Sequence, residues 1–287
     1  MSELTDLSRS YLPKEFAKIN PGDRVALAVS YDGSAYRGWQ SQQKPKVATV
    51  QDSLESALSY IANQPIKVQC AGRTDSGVHA SHQLVSFDSP VARSEKAFVC
   101  GGNTRLPEDI AIHWAKPVAD EFHARFSATA RRYRYIIYNT PIKPAILPRG
   151  VTHQPWPLDA DLMNTAAQAL VGELDFTSFR AVACQSNTPM RNVHFIDVSR
   201  HHDMVVIDIQ ANAFLYHMVR NIAGALMEVG MGRQPVDWVA RVLALRDRSQ
   251  SSATASPNGL YLVDVKYPVS WGLPNTVVGP YFLPVVD

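Results

Sequence analysis

Arg73 and Asp75 stand two residues apart in the stretch Ala71-Gly72-Arg73-Thr74-Asp75-Ser76-Gly77-Val78-His79-Ala80, a glycine-flanked turn that leaves a short apolar strand. Glycine on both sides lets the backbone turn tightly and leaves the carboxylate accessible. A carboxylate beside a guanidinium stays ionised at neutral pH and serves as a nucleophile or an electrostatic stabiliser. Taken alone, Thr-Asp-Ser-Gly is far more often an ordinary turn than an active site. Two other stretches add to it. From Phe122 to Tyr135 the chain carries four arginines (Arg125, Arg131, Arg132 and Arg134), His123 and four aromatic residues, with no acidic residue. Basic groups neutralise phosphates while rings stack on bases, although exposed strands also carry arginines for solubility alone. Arg220 stands among Met218, Val219 and Ile222, so it needs a partner if it is buried. The pairs His79–His82 and His201–His202 have no further ligand-type residue nearby in sequence and predict no metal site.

These residues need elements to hold them. Val25, Leu27, Val29 and Tyr31 alternate as in a strand. Thr49 caps a helix whose Val50, Leu54, Ala57, Leu58 and Ile61 share one face, with Asp52 placed for a variant capping box. Ile66, Val68 and Cys70 alternate into the Arg73–Asp75 turn; residues 84–87 and 110–114 read as strands and 94–101 as a short helix. The second half repeats the order. A strand at 131–138 precedes a helix capped by Asp159 and carrying Leu162, Met163, Ala166, Ala169 and Leu170. Strands at 193–198 and 204–209 flank the turn His201-His202-Asp203. Helices at 214–229 and, after Pro235, 236–245 lead to a last strand at 260–265.

The pattern β-α-β-β-α-β, met twice, predicts an α+β fold of two ferredoxin-like halves with mainly antiparallel sheets and helices on one side. The other sheet face, and a cleft between the halves, are then open to something long. The division expected is a tail over 1–22, an N-terminal domain over 23–121 carrying Asp75, and a C-terminal domain over 122–287. Pro141 to Pro157, with five prolines, predicts an insertion, and Ser249 to Pro257 a mobile polar loop.

Composition bounds the function class. A chain of 287 residues with 46% hydrophobic and 19% charged residues is globular rather than disordered. A net charge of +2 is too small to announce a polyanion partner, so any nucleic-acid signal is local. Cys70, Cys100 and Cys184 are odd in number and widely separated, which predicts reduced thiols rather than a zinc site or a disulfide framework. The absence of an apolar signal core or membrane-length apolar run predicts a cytoplasmic protein with no membrane contact.

With four further segments, residues 71–80 resemble the tRNA pseudouridine synthase A family. The segments are Tyr31-Asp32-Gly33 with Tyr36 and Gly38-Trp39-Gln40; Phe122-His123-Ala124-Arg125-Phe126 running into Arg131-Arg132-Tyr133-Arg134-Tyr135; Phe214 to Ile222 with Met218-Val219-Arg220; and Gly259-Leu260-Tyr261-Leu262. They occur in the family's order over roughly residues 23 to 268.

The resemblance implies a specific reaction. Uridine becomes pseudouridine at positions 38, 39 and 40 of the tRNA anticodon stem–loop, on a base flipped out of its stack. The N1–sugar bond breaks, the base turns, and C5 joins the same sugar carbon. Nothing is oxidised or added, so no cofactor is expected. Asp75 is implied as the nucleophile, toward either the sugar carbon or the uracil ring, and Arg73 as the residue that fills the space left by the flipped base. Tyr133, which alternation alone does not separate from Tyr135, is implied to stack on the target and help remove its C5 proton. Arg220 is implied to pair with Asp75 and lower its pKa, and Leu260 to line the pocket. Contacts to tRNA are implied for Arg93, for Phe122, His123, Ala124, Arg125 and Phe126, and for Ala183, Cys184, Gln185, Ser186 and Asn187. A homodimer that cradles the tRNA is implied as well.

Two rival readings stay open. The same element order builds RNA recognition motifs, but neither half has the aromatic Lys/Arg-Gly-Phe-Gly-Phe-type signature, and Asp75 would have no task. A nucleoside glycosidase would use two carboxylates, and no second acid accompanies Asp75 in its motif.

Overall fold

The computed structural model describes residues 16–274 and 278–283. The first half runs β1 (Lys18–Ile19), β2 (Arg24–Tyr31), α1 (Val50–Ala62), β3 (Gln69–Cys70), β4 (His79–Asp88), β5 (Arg93–Ser94), a π-turn at Ala97–Gly101, and β6 (Ile110–Val118). The second runs β7 (Ala130–Tyr138), β8 (Thr152–His153), α2 (Ala160–Ala167), β9 (Gly172–Asp175), β10 (Met190–His201), β11 (Met204–Ala211), α3 (Met218–Gly230), α4 (Trp238–Leu245) and β12 (Leu260–Lys266). Thr49 and Asp159 cap α1 and α2 as their sequences predict, accepting from the Asp52 and Leu162 amides.

Strand order gives the architecture. The first half is laid out β6-β2-β4 with β3 on β4, and the second β12-β7-β11-β10 with β9 at its edge. Each half therefore places its fourth strand beside its first, and its first beside its third, the order of a split β-α-β unit. The halves do not form separate sheets. β12 pairs in parallel with β4, Tyr261 opposite His79 and Leu262 opposite Ala80, and antiparallel with β7 on its other side. One sheet thus runs through both halves, and the chain enters β4 at this seam directly from the Asp75 turn.

Side-chain alternation sorts the two faces. Val25, Leu27 and Val29 of β2 and Tyr133, Tyr135 and Ile137 of β7 join the main core, together with Leu54 and Leu58 of α1 and Ile222 and Leu226 of α3. The reverse face is not free along its length, contrary to expectation. Ala26 lies there under Phe122 and Ala124, with Tyr267, Trp271 and Leu273 packed against them. Ile136, Val206 and Val263 lie under Val151 and Leu283. Apolar strand residues pointing away from the helices need cover from water, and irregular segments supply it.

Three element predictions change. β4 is much longer than residues 84–87 because buried His79, His82, Gln83 and Ser86 hide its apolar pattern. The helix expected from Phe214 begins at Met218, since His217 takes a left-handed φ of 62°. The loop expected to be mobile is strapped onto α3: Arg248 donates to Ser252 O, Asn221 Oδ1 and Thr254 Oγ1, and Thr254 Oγ1 donates to Asn221 Oδ1 at 2.7 Å. Gly224 lets it approach, because a Cβ there would stand 2.4 Å from Ala253 O. No helix among the described residues is long and apolar enough to cross a membrane.

Candidate active site

The turn that carries Asp75 is held from several sides. Tyr31 and Thr74 share a buried hydroxyl–hydroxyl hydrogen bond of 2.8 Å. The Trp39 amide donates to Thr74 O at 3.0 Å, and the Gly77 amide to Tyr36 O at 3.3 Å. Gly38 makes this approach possible, with φ at +95° and space for its missing Cβ only 2.8 Å from Thr74 O. Farther back, Gln83 Nε2 donates to Gly72 O at 2.5 Å and Arg131 Nη2 to Ala71 O at 2.9 Å. These ties explain the residues Tyr31, Tyr36, Gly38 and Trp39: they fix a loop whose backbone groups have few partners of its own.

Asp75 is brought together with Arg220 and Tyr133, from opposite sides of the seam. Arg220 Nη1 approaches Asp75 Oδ2 at 3.8 Å, and its Nε donates to Ala255 O at 2.8 Å. The pairing acts in the expected direction, with the Arg220 charge lowering the Asp75 pKa, but burial outweighs it. The net result is an Asp75 carboxyl raised to about 6. The Tyr133 ring meets Phe214 edge-on with centroids 5.0 Å apart, and its hydroxyl lies 3.7 Å from where a Gly72 Cβ would stand. Tyr135 is distinguished from it by its bonds, since its hydroxyl is shared with Thr152 Oγ1 at 2.7 Å and donates to Ser256 O at 2.9 Å. Burial first, and the Asp75 charge second, push the Tyr133 hydroxyl above its ordinary range, so it rests protonated.

Leu260 opens β12 opposite Tyr135 in the main core, two residues before Leu262, which reaches the Gly72 backbone beside Tyr133. Arg73 is exposed and makes no side-chain hydrogen bond to any described residue. Sequence reasoning missed His217, whose Nε2 lies 3.5 Å from Asp75 Oδ2. Its spacing of three from Arg220 across a helix start was a signal, because such residues share a face.

The basic stretch divides sharply. Arg132 makes a forked pair to Asp208 at 2.7 Å for each oxygen, and Arg134 adds a third bond of 2.7 Å to the same carboxylate. Arg131 spends its guanidinium on the carbonyls of Ala71, Arg125, Ala128 and Asn212. Phe122 and Ala124 are completely buried, so their side chains lie inside the fold rather than at its surface. His123 Nδ1 accepts from the Arg125 and Phe126 amides, and burial lowers its pKa, so it adds no charge. What remains outside is Phe126, 75% exposed, with the His123 ring tilted against it at 4.3 Å and the Arg125 guanidinium 5.5 Å from its centroid.

Arg93 is half-buried, and its Nε donates to Ile61 O at 2.9 Å near the end of α1. Ala183, Gln185 and Asn187 are exposed, while Cys184 and Ser186 are partly buried and accept hydrogen bonds from Arg180 through their carbonyls.

Comparison with known proteins meets this geometry. A family model described as tRNA pseudouridine synthase matches residues 27–127 and 166–268. The chain is 60% identical over 261 residues to tRNA pseudouridine synthase A of Shewanella amazonensis, covering 91% of this chain and 99% of that one. It is 58% identical over 266 residues to the protein of the same name from an Enterobacter species, covering 93% and 98%.

Proposed function

The chain belongs to the tRNA pseudouridine synthase family, and we propose that it isomerises uridines at positions 38, 39 and 40 of the tRNA anticodon stem–loop with Asp75 as the reacting carboxylate. One observation carries the assignment to Asp75. It is a half-buried carboxylate at the seam of the sheet, faced by Arg220 and His217 and, among the described residues, paired with no second acid. Glycoside hydrolysis needs two carboxyl groups, one on each side of the bond, whereas rearrangement of a base that never leaves needs one.

In this reading the N1–sugar bond breaks, C5 bonds to the sugar carbon, the C5 proton departs and N1 gains one. Asp75 attacks or stabilises the sugar carbon or adds to the ring. Arg73, exposed beside the turn, occupies the gap left by the flipped uridine. Tyr133 stacks on the target base. Because its hydroxyl rests protonated, it donates rather than accepts unless it first yields its own proton. Leu260 backs the pocket. Arg125, His123 and Phe126 meet the RNA as a clustered, singly charged patch, with Arg93 and Ala183–Asn187 extending the contact. A homodimer that cradles tRNA between its subunits and a cytoplasmic location belong to the same proposal. Nucleoside analysis of tRNA after incubation tests it: pseudouridine must appear as uridine disappears. Free uracil with an abasic sugar would mark a glycosidase, and unchanged RNA a binding module.

A further inference from the structure

His217 ends the loop before α3 with φ 62° and ψ 6°, a left-handed conformation costly for a residue with a Cβ and kept only where its surroundings enforce it. The enforcement is visible. The Ala181 amide donates to Tyr216 O at 3.0 Å, the Tyr216 amide to Cys184 Sγ at 3.4 Å, and the Asn221 amide to His217 O at 2.9 Å. The Tyr216 ring lies against the imidazole with centroids 4.0 Å apart. This turn delivers Nε2 to 3.5 Å from Asp75 Oδ2, the oxygen that Arg220 Nη1 approaches at 3.8 Å.

We infer that His217 is a positioning residue for Asp75: held by the Tyr216 turn, its imidazole donates a hydrogen bond to the carboxylate as substrate closes the site, keeping Asp75 ionised and aimed. The inference rests on Asp75 being the reacting carboxylate. A donor to a carboxylate favours the charged form, which burial here opposes. The groups facing the imidazole are Asp75 from the catalytic turn, Tyr216 beside it, Arg220 from α3 and Arg248 from the loop after α4. Burial and the two arginines lower its pKa, so at neutral pH it is uncharged and has one N–H to give. The segment that fixes Tyr216 runs directly into Ala183–Asn187, so RNA docked there bears on the same turn.

The first test needs no turnover. The imidazole titration of His217 is followed by NMR in 15N-histidine-labelled protein, its signal assigned by loss in His217→Gln. A carboxylate this close favours the imidazolium, so Asp75→Asn lowers the His217 midpoint by about half a unit or more. An unchanged midpoint overturns the inference. The second test compares His217→Phe, which keeps a ring but no donor, with His217→Gln, which keeps an N–H. The Phe variant loses kcat by about ten- to a hundred-fold, with KM for tRNA within a few-fold, and its acid limb moves to higher pH. The Gln variant recovers most of both. Equal behaviour of the two variants with an unmoved limb reduces His217 to a part of the turn and contradicts the inference. If Asp75→Asn stays active, the reading of Asp75 fails instead, and the titration still reports whether the two side chains are coupled.

Discussion

Arg220 reaches Asp75 Oδ2 only at 3.8 Å because its Nε is committed to Ala255 O at 2.8 Å. The guanidinium is tied to the strap over α3 rather than clamped on the carboxylate. Charge attraction then loses to desolvation, and the Asp75 carboxyl sits at about 6.

A pH profile reads this directly. The acid limb of kcat/KM reports groups of the free enzyme, so it falls near pH 6 rather than near 4. Arg220→Met removes a charge that lowers the Asp75 pKa, so its limb moves to still higher pH. A parental limb near 4 would mean that the carboxylate is better solvated or better paired than this geometry allows.

Stability should carry the same signature with the opposite outcome for function. A carboxyl raised from 3.8 to about 6 binds its proton more tightly in the folded protein than in the unfolded chain. Its favourable contribution is complete below pH 4 and is lost as the pH rises through 6. Two units correspond to about 3 kcal/mol, so Asp75→Asn stabilises the protein by up to that amount at pH 7 and by little at pH 4. Urea unfolding at the two pH values measures it. Equal stabilisation at both would assign the gain to something other than ionisation.

Tyr133 and Tyr135 share a strand face and differ in their hydroxyl bonds. Tyr135→Phe loses the links to Thr152 and Ser256 and destabilises by about 1–3 kcal/mol with turnover largely kept. Tyr133→Phe keeps the stacking ring and leaves stability within about 0.5 kcal/mol while slowing product formation. Thermal unfolding beside single-turnover assays separates the two. A reversal of this pattern would move the target base to Tyr135.

Much of this was legible in the residues. The period of two at Val25–Tyr31 and the capping residues Thr49 and Asp159 marked their elements, and the repeated β-α-β-β-α-β order marked both halves. The single sheet was not, because β4·β12 pairing joins residues about 180 apart and depends on the short, edge-bound β3 leaving room. The site was half legible. Arg73, Asp75 and Arg220 stood out by type and setting, and only the family resemblance separated Tyr133 from Tyr135, while His217 needed a left-handed turn that no periodicity announces. The arginines misled for a physical reason. Arg132 and Arg134 look like Arg125 in sequence, and only the register that sets Asp208 opposite Arg134 shows that they are neutralised.

That difference predicts how salt acts on tRNA binding. Arg125→Ala lowers the log–log salt slope by roughly 0.7 to 0.9, as one lost phosphate contact does. Arg132→Ala leaves the slope unchanged and instead costs about 2 kcal/mol of stability, because Asp208 loses two charged hydrogen bonds but keeps Arg134. Filter binding across a salt series, with unfolding curves for both variants, decides it. A slope change in Arg132→Ala alone would place the RNA on the opposite face of the sheet.

The central claim is that Asp75 drives isomerisation of a uridine it does not release. Its most direct measurement is tritium release from tRNA labelled at uracil C5, in the parent and in folded Asp75→Asn. C5 exchanges its proton for the sugar carbon only if the new bond forms. The parent should release tritium to water in step with pseudouridine formed, and Asp75→Asn should release none while binding tRNA within a few-fold of the parent. Release by the variant at a rate comparable to the parent would contradict the account.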